Sequence, residues 1–507
     1  MRICLWHGWL LEGTGSNVYT ARVAEVFRAQ GHDVALLCQE RHAERLRFVD
    51  ARGTVGAGGM SDLVEMGPGT AAGPGRLTLL RPQIGQLLPV FVWDEYEGFR
   101  VKTFLDLTDD ELETYLARNV EALEVAVGQQ GSDVVIAGHA IPGAAIARRA
   151  VGEGNYVAKI HGSDIEYAVR LQRRYAELAR EGLEGARGVV GSSHDVIQRM
   201  LEIVPAIRDR VRVASPGVDA ERFAPRQRRE ALAEVAAAVA ADPDVTRGRL
   251  APLDVEVAAA VAARDAAALD ALALRYDQMA PDPTAANLLA QLANYDGPLV
   301  GYLGKLTPEK GVERMIEAVA LLPDTRGLVI GFGTYREWFQ ALALALRRQD
   351  LDAYRWLRER SEMRLELTDK EVSSEGVQLD FTGRLDHRYA PGVLAALDVL
   401  VVPSTLAEAF GMVAAEAAAA GVFPLVARHS GLAEIAAALE SEVGRPGLLS
   451  FEPGDEATGR AVEKLSGLLS LPQGERATLS TALRGFVVRE WSWEATARQL
   501  LAAAGTA

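Results

Sequence analysis

Residues 401–427 read VVPSTLAEAFGMVAAEAAAAGVFPLVA, and the order of residue types in this run decides the fold. An apolar stretch, Val399 to Val402, ends at Pro403 and Ser404. A loop carrying Glu408 and Gly411 follows, then an alanine-rich helical run carrying Glu416, then Gly421 and a second apolar stretch, Phe423 to Val426. Strand, helix, strand, with both strands apolar throughout, describes a crossover unit in a parallel sheet covered on both faces. A glycine at the strand-to-helix turn lets backbone N–H groups approach a ligand, and a helix N-terminus favours anions. One carboxylate therefore sits beside an anion-binding helix start, and the second is expected about two turns down that helix. Amide donors next to carboxylates suit a ligand with both phosphates and sugar hydroxyls.

The same alternation extends in both directions. Towards the N-terminus the strand candidates are Ile3 to Trp6, Val34 to Leu37, Val134 to Ala137, Tyr156 to Ile160, Gly188 to Gly191 and Val211 to Ala214, with helical runs such as Asn17 to Gln30 and Asp109 to Val127 between them. SPGVDAERFAP, residues 215–225, is a Pro/Gly-punctuated break that reads as a hinge. The alternation restarts with Leu299 to Leu303, Gly327 to Ile330, Val377 to Thr382, Val399 to Val402 and Phe423 to Val426, and with helices that include Val312 to Leu322. The expected fold is α/β: two doubly wound Rossmann-like domains facing across a cleft. The domain boundaries are expected at 1–215, 216–485 and a C-terminal helix at 486–507 that packs back on the first domain. Residues 226–292, rich in Ala, Leu, Glu and Arg, read as a helical insertion in or before the second domain. Within it, Asp242-Pro243-Asp244 has the form of a metal-binding pair, but proline between the carboxylates favours a turn.

Composition narrows the function classes. The 507 residues are 49% hydrophobic and 24% charged, which describes a globular chain too long for a single core. A net charge of −15 disfavours general binding to nucleic acid or anionic membranes. The two cysteines, Cys4 and Cys38, fall in apolar strands and supply no disulfide framework, so a cytoplasmic setting is expected. MRICLWHGWLL at the start reads as a buried strand and not as a signal peptide, and no apolar run is long enough to span a bilayer.

Several loops after strands carry residues suited to a phosphorylated sugar, and each also has an ordinary reading. Gly13-Thr14-Gly15-Ser16 precedes the first helix and is either a phosphate-approach loop or a plain turn. GYLGKLTPEKG, 301–311, places Lys305 and Lys310 in one loop, as a pyrophosphate clamp or as solvated lysines. Gly331-Phe332-Gly333 permits close passage of a ligand backbone. FTGRLDH, 381–387, offers Gly383, Arg384 and Leu385 to a base. His161 in HGSD, His139 in AGHA and His7 end three apolar strands, where a histidine bonds a hydroxyl or assists a proton unless it is simply structural. WDEYEGFRVKTF, 93–104, contributes Asp94, Tyr96, Arg100 and Lys102 as candidate acceptor contacts, with a structural excursion from the sheet as the equal alternative. Arg170, Arg173, Arg174 and Arg180 stand among Glu166, Glu177 and Glu181, a pattern that favours a paired, solvated helix face.

Taken in order, HGSD, PGVDAERF, GKLTPEKG, GRLDH and PSTLAEAFGMVAAEAAAAG resemble the motifs of the retaining nucleotide-sugar glycosyltransferases of family 4, which have the two-Rossmann-domain GT-B fold. The resemblance covers most of the chain, with 226–292 as an addition. It implies that Glu408 bonds the donor-sugar hydroxyls and that the amides of Phe410, Gly411 and Met412 help hold sugar and diphosphate. Glu416 would bind the ribose hydroxyls, and Lys305 and Lys310 would neutralise the leaving diphosphate. Gly15 would meet the distal phosphate, Gly331, Gly333, Arg384 and Leu385 would complete the donor contacts, and His161 would lie near the sugar. The family commonly has Arg where Lys305 stands, so two-pronged contact is lost there. The implied reaction moves a sugar from a nucleoside diphosphate sugar to an acceptor hydroxyl with retention and without a metal. The leaving phosphate helps deprotonate the acceptor, which is a sugar, a glycolipid or a small metabolite. A weak peripheral membrane contact stays open. A nucleotide-sugar epimerase or hydrolase, and a non-catalytic nucleotide-sugar sensor, are the alternatives on the same architecture.

Overall fold

The computed structural model describes residues 1–507 except 12, 67–72, 94–95, 374–376 and 506–507. The chain divides into two units, Met1–Gly217 with Trp491–Ala507, and Val218–Glu490. Both are α/β with parallel sheets, as the alternation of apolar runs and helices requires.

The first unit holds β1 (Arg2–Trp6), β2 (Asp33–Leu37), β3 (Ala51–Gly56), β4 (Gly59–Glu65), β5 (Arg76–Pro82), β6 (Leu87–Val90), β7 (Arg100–Thr103), β8 (Val134–Gly138), β9 (Tyr156–Lys159), β10 (Gly188–Gly191) and β11 (Val211–Val213). Nine of these form one sheet in the order β11-β10-β9-β8-β1-β2-β5-β3-β4, while β6 and β7 pair separately. β1 runs parallel to both neighbours, with Ile3 opposite Val34 on one side and Val134 on the other. The chain leaves β1 towards β2 and returns to β8 on the opposite side, so the order reverses there. Ligands in open α/β sheets bind beyond the strand carboxyl ends at such a reversal. Ile3, Cys4, Leu5 and Trp6 are all buried. Each fully covered large apolar side chain contributes roughly 2 kcal/mol. Cys4 and Cys38 are free and buried, and burial pushes both thiols up to about 12.

Strands β3 to β7 stand where the sequence reading placed none. ARGTVGAGGM, 51–60, is so glycine-rich that it reads as a loop, and β4 is exposed along most of its length, which hides its alternation. β4 is also antiparallel to β3. The C-terminal helix Trp493–Ala503 belongs to this unit. Its Trp493 ring lies 5.7 Å from Tyr19 of the helix Gly15–Ala29, and Thr496 Oγ1 donates to Ser215 O at 2.7 Å.

The second unit holds β12 (Leu299–Lys305), β13 (Arg326–Phe332), β14 (Gln378–Phe381), β15 (Val399–Val402), β16 (Phe423–Ala427) and β17 (Ser450–Phe451). They form an all-parallel sheet in the order β14-β13-β12-β15-β16-β17. The helices Arg228–Ala240, Leu253–Ala263, Ala266–Leu272 and Ala285–Leu292 precede it. Polar anchors tie them down: Arg228 pairs with Asp398 at 2.6 Å, and buried Arg249 with buried Glu337 at 2.9 Å. Asp242 caps a 3-10 turn by accepting the Asp244 N–H at 3.0 Å, and it also accepts the Tyr389 hydroxyl at 2.6 Å.

Candidate functional site

The loops following β12 to β15 form a connected set in the second unit. Lys305 lies opposite Phe332 in the β12–β13 register. Its ammonium is 5.8 Å from the Phe332 ring centroid, and the Arg384 guanidinium is 5.5 Å from the same centroid. The Gly331 N–H donates to Gly383 O at 3.0 Å, and the Arg336 N–H to Gly333 O at 3.2 Å. Leu385 is buried beneath these loops.

Lys310 meets the acidic loop through the backbone. Glu309 O accepts the N–H groups of Thr405 and Leu406 at 2.8 and 3.2 Å, and the Thr405 hydroxyl at 3.0 Å. Gly311 makes this approach feasible: its φ is +64°, and a Cβ there would fall 2.4 Å from Pro403 O. With the loops joined, Lys310 Nζ reaches Glu408 Oε1 at 2.5 Å, the two side chains being 28% and 23% exposed. A partly exposed pair of this kind contributes on the order of 1 kcal/mol to stability. Below them the helix Met412–Ala419 opens at Gly411, which has φ +106° and no capping side chain. The first N–H groups of such a helix have no intrahelical partner and carry its positive end. Phe410 and Glu416 are buried here. Because the helix begins only at Met412, Glu416 lies little more than one turn in, not two.

Two residues that sequence reasoning passed over hold the acidic loop in place. The Glu408 N–H donates to Ser430 Oγ at 2.9 Å. His429 has Nε2 2.6 Å from Ser404 O and Nδ1 3.1 Å from Ser430 Oγ. Their only sequence signal was position, at the start of the next helix after β16.

In the first unit His7, His139 and His161 gather at the ends of β1, β8 and β9. The His139 ring centroid is 4.4 Å from His161, 4.5 Å from Trp9 and 5.9 Å from His7. His7 Nε2 is 2.9 Å from Asn17 Oδ1, and its Nδ1 is 3.1 Å from Thr20 Oγ1. Burial lowers His7 to about 4, its hydrogen bonds opposing this. Burial first, then nearby positive charge, takes His139 and His161 well below the usual histidine range. All three are therefore neutral near pH 7. Lys159 donates from Nζ to Ser192 Oγ at 2.7 Å and lies 5.0 Å from the Tyr19 ring centroid. Burial lowers it to about 7 while Asp164 opposes. Asp164 accepts the N–H groups of Ala140, His161 and Ile165 at 2.7, 3.2 and 3.0 Å. Burial outweighs those bonds and raises its carboxyl to about 7.

The remaining predicted residues fall elsewhere in this unit. Gly15 opens the helix Gly15–Ala29, behind its cap Thr14. Arg100 and Lys102 lie on β7 and both pair with Glu111, at 3.1 and 2.9 Å. Glu111 completes the capping box of the helix Asp109–Gln130, so both cations have a structural partner. The Tyr96 carbonyl accepts the Phe99 N–H in a turn, and Asp94 lies outside the described residues. Arg170 and Arg173 pair with Glu166 and Glu177 four residues away, as a solvated face requires. Among the described residues, no group of three or more His, Cys, Asp or Glu side chains is arranged to hold a metal ion. No helix among them is long and apolar enough to cross a membrane.

Known proteins resemble this chain in family and fold. Residues 13–222 match the family described as Glycosyltransferase Family 4, and residues 297–469 match that described as Glycosyl transferases group 1. A sulfoquinovosyl transferase of Arabidopsis thaliana is 29% identical over 158 residues, 31% of this chain and 24% of the relative. A 2-deoxystreptamine glucosyltransferase of Streptomyces kanamyceticus is 33% identical over 129 residues, 25% of this chain and 26% of the relative. The aligned part thus spans about a quarter of each curated relative's length. Among solved structures, Anabaena HepE in complex with UDP and glucose shares the fold with a TM-score of 0.59 at 13% identity, covering 100% of both chains.

Proposed function

This chain belongs to the family 4 type of glycosyltransferases with the two-domain GT-B fold, and from that premise we propose that it transfers a glycosyl group from a nucleoside diphosphate sugar to an acceptor hydroxyl, with retention at the anomeric carbon. The observation that carries the reading is the direct meeting of Lys310 with Glu408, in the loop that leads into the helix Met412–Ala419. A cation paired with a carboxylate, on loops that run into a helix start, suits a substrate that joins phosphates to a sugar.

In this reading negative charge grows on the diphosphate as the glycosidic bond breaks. Lys305, Lys310 and the amides from Phe410 to Met412 stabilise it, and no metal is needed. Preorganised electrostatic contacts of this kind are the largest single catalytic term in many enzymes. Glu408 bonds the sugar hydroxyls, Glu416 the ribose, and the loop Gly383 to Leu385 the base. His161 is neutral in its buried setting, so it offers a hydroxyl a hydrogen bond and not a charge. The departing phosphate takes the acceptor proton. Retention by double displacement would instead need a carboxylate close to the anomeric carbon.

HepE binds UDP and glucose, and one relative is named as a glucosyltransferase, so UDP-glucose leads the donor panel. The test is incubation of candidate donors with and without sugar, glycolipid and small hydroxylated acceptors, with the product's anomeric configuration read by NMR. A glycoside of retained configuration, formed equally well with EDTA, is expected. Free sugar or an epimer as the sole product would favour hydrolysis or epimerisation, and donor binding without turnover on any acceptor would favour a sensor.

A further inference from the structure

The insertion 226–292 and the Asp242-Pro243-Asp244 run inside it have no part in the reaction described above. Both converge on one loop. Residues 382–389, TGRLDHRY, follow β14 and lead into the helix Ala390–Ala395. The insertion holds this loop at its two ends.

At the first end, residues 279–282 of the insertion lie along it. The Asp282 N–H donates to Thr382 O at 2.9 Å. Pro281 and Gly383 form an antiparallel bridge, and Arg384 donates from Nη1 to Met279 O at 3.4 Å. Gly383 permits the approach: its φ is +73°, and a Cβ there would fall 2.5 Å from Asp282 Oδ1. Asp282 is itself fixed, because it is buried and accepts from both terminal nitrogens of buried Arg336.

At the second end, Asp242 Oδ2 accepts the Tyr389 hydroxyl at 2.6 Å and an Arg388 N–H at 3.0 Å. Its other oxygen, Oδ1, accepts the Asp244 N–H at 3.0 Å. The Asp242 side chain is 1% exposed, and a carboxylate so buried is tolerated only when its oxygens are bonded. The two oxygens divide the work. One closes the insertion's own turn, and the other grips the loop.

Nucleobases differ in the placing of a few hydrogen-bond donors and acceptors. A loop discriminates among them when its own groups are held in position beforehand. We propose that the insertion is the selectivity element of the donor site: by clamping residues 382–389 at both ends it fixes the groups that meet the nucleobase, with Asp242 and Asp282 as positioning residues. This rests on the reading that gives Gly383, Arg384 and Leu385 to the base. In that reading other loops hold the diphosphate and the sugar, so a slack clamp changes the preference among bases.

Asp242→Asn isolates the clamp. Asparagine keeps one oxygen for the Asp244 N–H and sets an NH2 group where Tyr389 and Arg388 donate. Isothermal titration calorimetry of the full chain with UDP, ADP, GDP and dTDP is the test. The wild type is expected to prefer one of the four by about tenfold or more. That ratio should fall about fivefold in Asp242→Asn, and in the same direction in Tyr389→Phe, which removes the hydroxyl from the same contact. Asp244→Asn, altered in a side chain that pairs with Arg247, should keep the wild-type ratio. The proposal is overturned by a wild type without preference, by an unchanged ratio in folded Asp242→Asn, or by equal losses for all four ligands. Should Asp242→Asn fail to fold, Tyr389→Phe decides. A wild type that binds none of the four sinks the transferase reading together with this inference, whereas a preference that survives the variants sinks this inference alone.

Discussion

Lys310 and Glu408 are 98 positions apart, yet their side chains meet. Each was picked out for its own motif, and the pairing follows from Glu309 O holding the backbone of Thr405 and Leu406. Lys310→Ala is expected to lower kcat about 10²-fold, or about 3 kcal/mol in the transition state. Its urea midpoint should move little, because a single partly exposed pair contributes on the order of 1 kcal/mol. Steady-state kinetics beside a denaturation curve check both halves. Near-normal turnover in a folded Lys310→Ala protein would remove the basis of the assignment. The histidines predict a pH effect of definite sign. His7, His139 and His161 titrate lower in the folded chain than their ordinary value near 6.5. Their contribution is complete above pH 6.5 and is lost as pH falls towards the folded values, at about 1.4 kcal/mol per pH unit for each. Asp164, raised to about 7, works in the opposite sense across part of that range. Three groups against one leave a net loss on acidification. Thermal melts between pH 7.5 and 5 should show the first unit weakening, and His7→Gln should make that slope shallower.

At the scale of elements, helices and central strands were legible because their periodicity is local. Val399 to Val402 was read as a strand and is β15. Gly411 was read as the start of a helix and is its N-cap. What escaped was structure whose hydrophobic signal is diluted. β3 and β4 pair through a glycine-rich turn, and β6 and β7 form a two-stranded sheet of their own. The residues Arg100 and Lys102 stand in an irregular stretch where the sequence shows no local partner for them. Glu111, on the following helix, is that partner. That helix carries a full capping box from Thr108 to Glu111. Thr108→Ala is expected to cost about 1 kcal/mol of stability, read as a shift in urea midpoint, with turnover unchanged.

At the scale of the molecule, the chain leaves the first unit at Gly217 and returns to it at Trp491. These points lie a few residues beyond the expected boundaries, because the helix Gln473–Glu490 runs on past residue 485. The returning helix buries Trp493, Leu500 and Leu501. Truncation after Glu490 exposes that apolar surface on both sides of the contact. It should destabilise the first unit by several kcal/mol, on roughly 2 kcal/mol per large buried side chain. Limited proteolysis of 1–217 would register the loss, while the second unit stays resistant. A donor that binds the folded chain alone should raise its melting temperature. At a hundredfold excess over Kd the gain is about 2.7 kcal/mol.

The sequence by itself determined the two alternating α/β units, the residue types after each strand, and the family whose motifs they match. These depend on local periodicity and on short-range spacing, which one chain displays directly. Only the tertiary structure decided that Lys310 touches Glu408 and that Arg100 and Lys102 both pair with Glu111. Such contacts depend on which strand ends and helix starts are brought together when apolar faces are buried, and no window along the chain contains both partners.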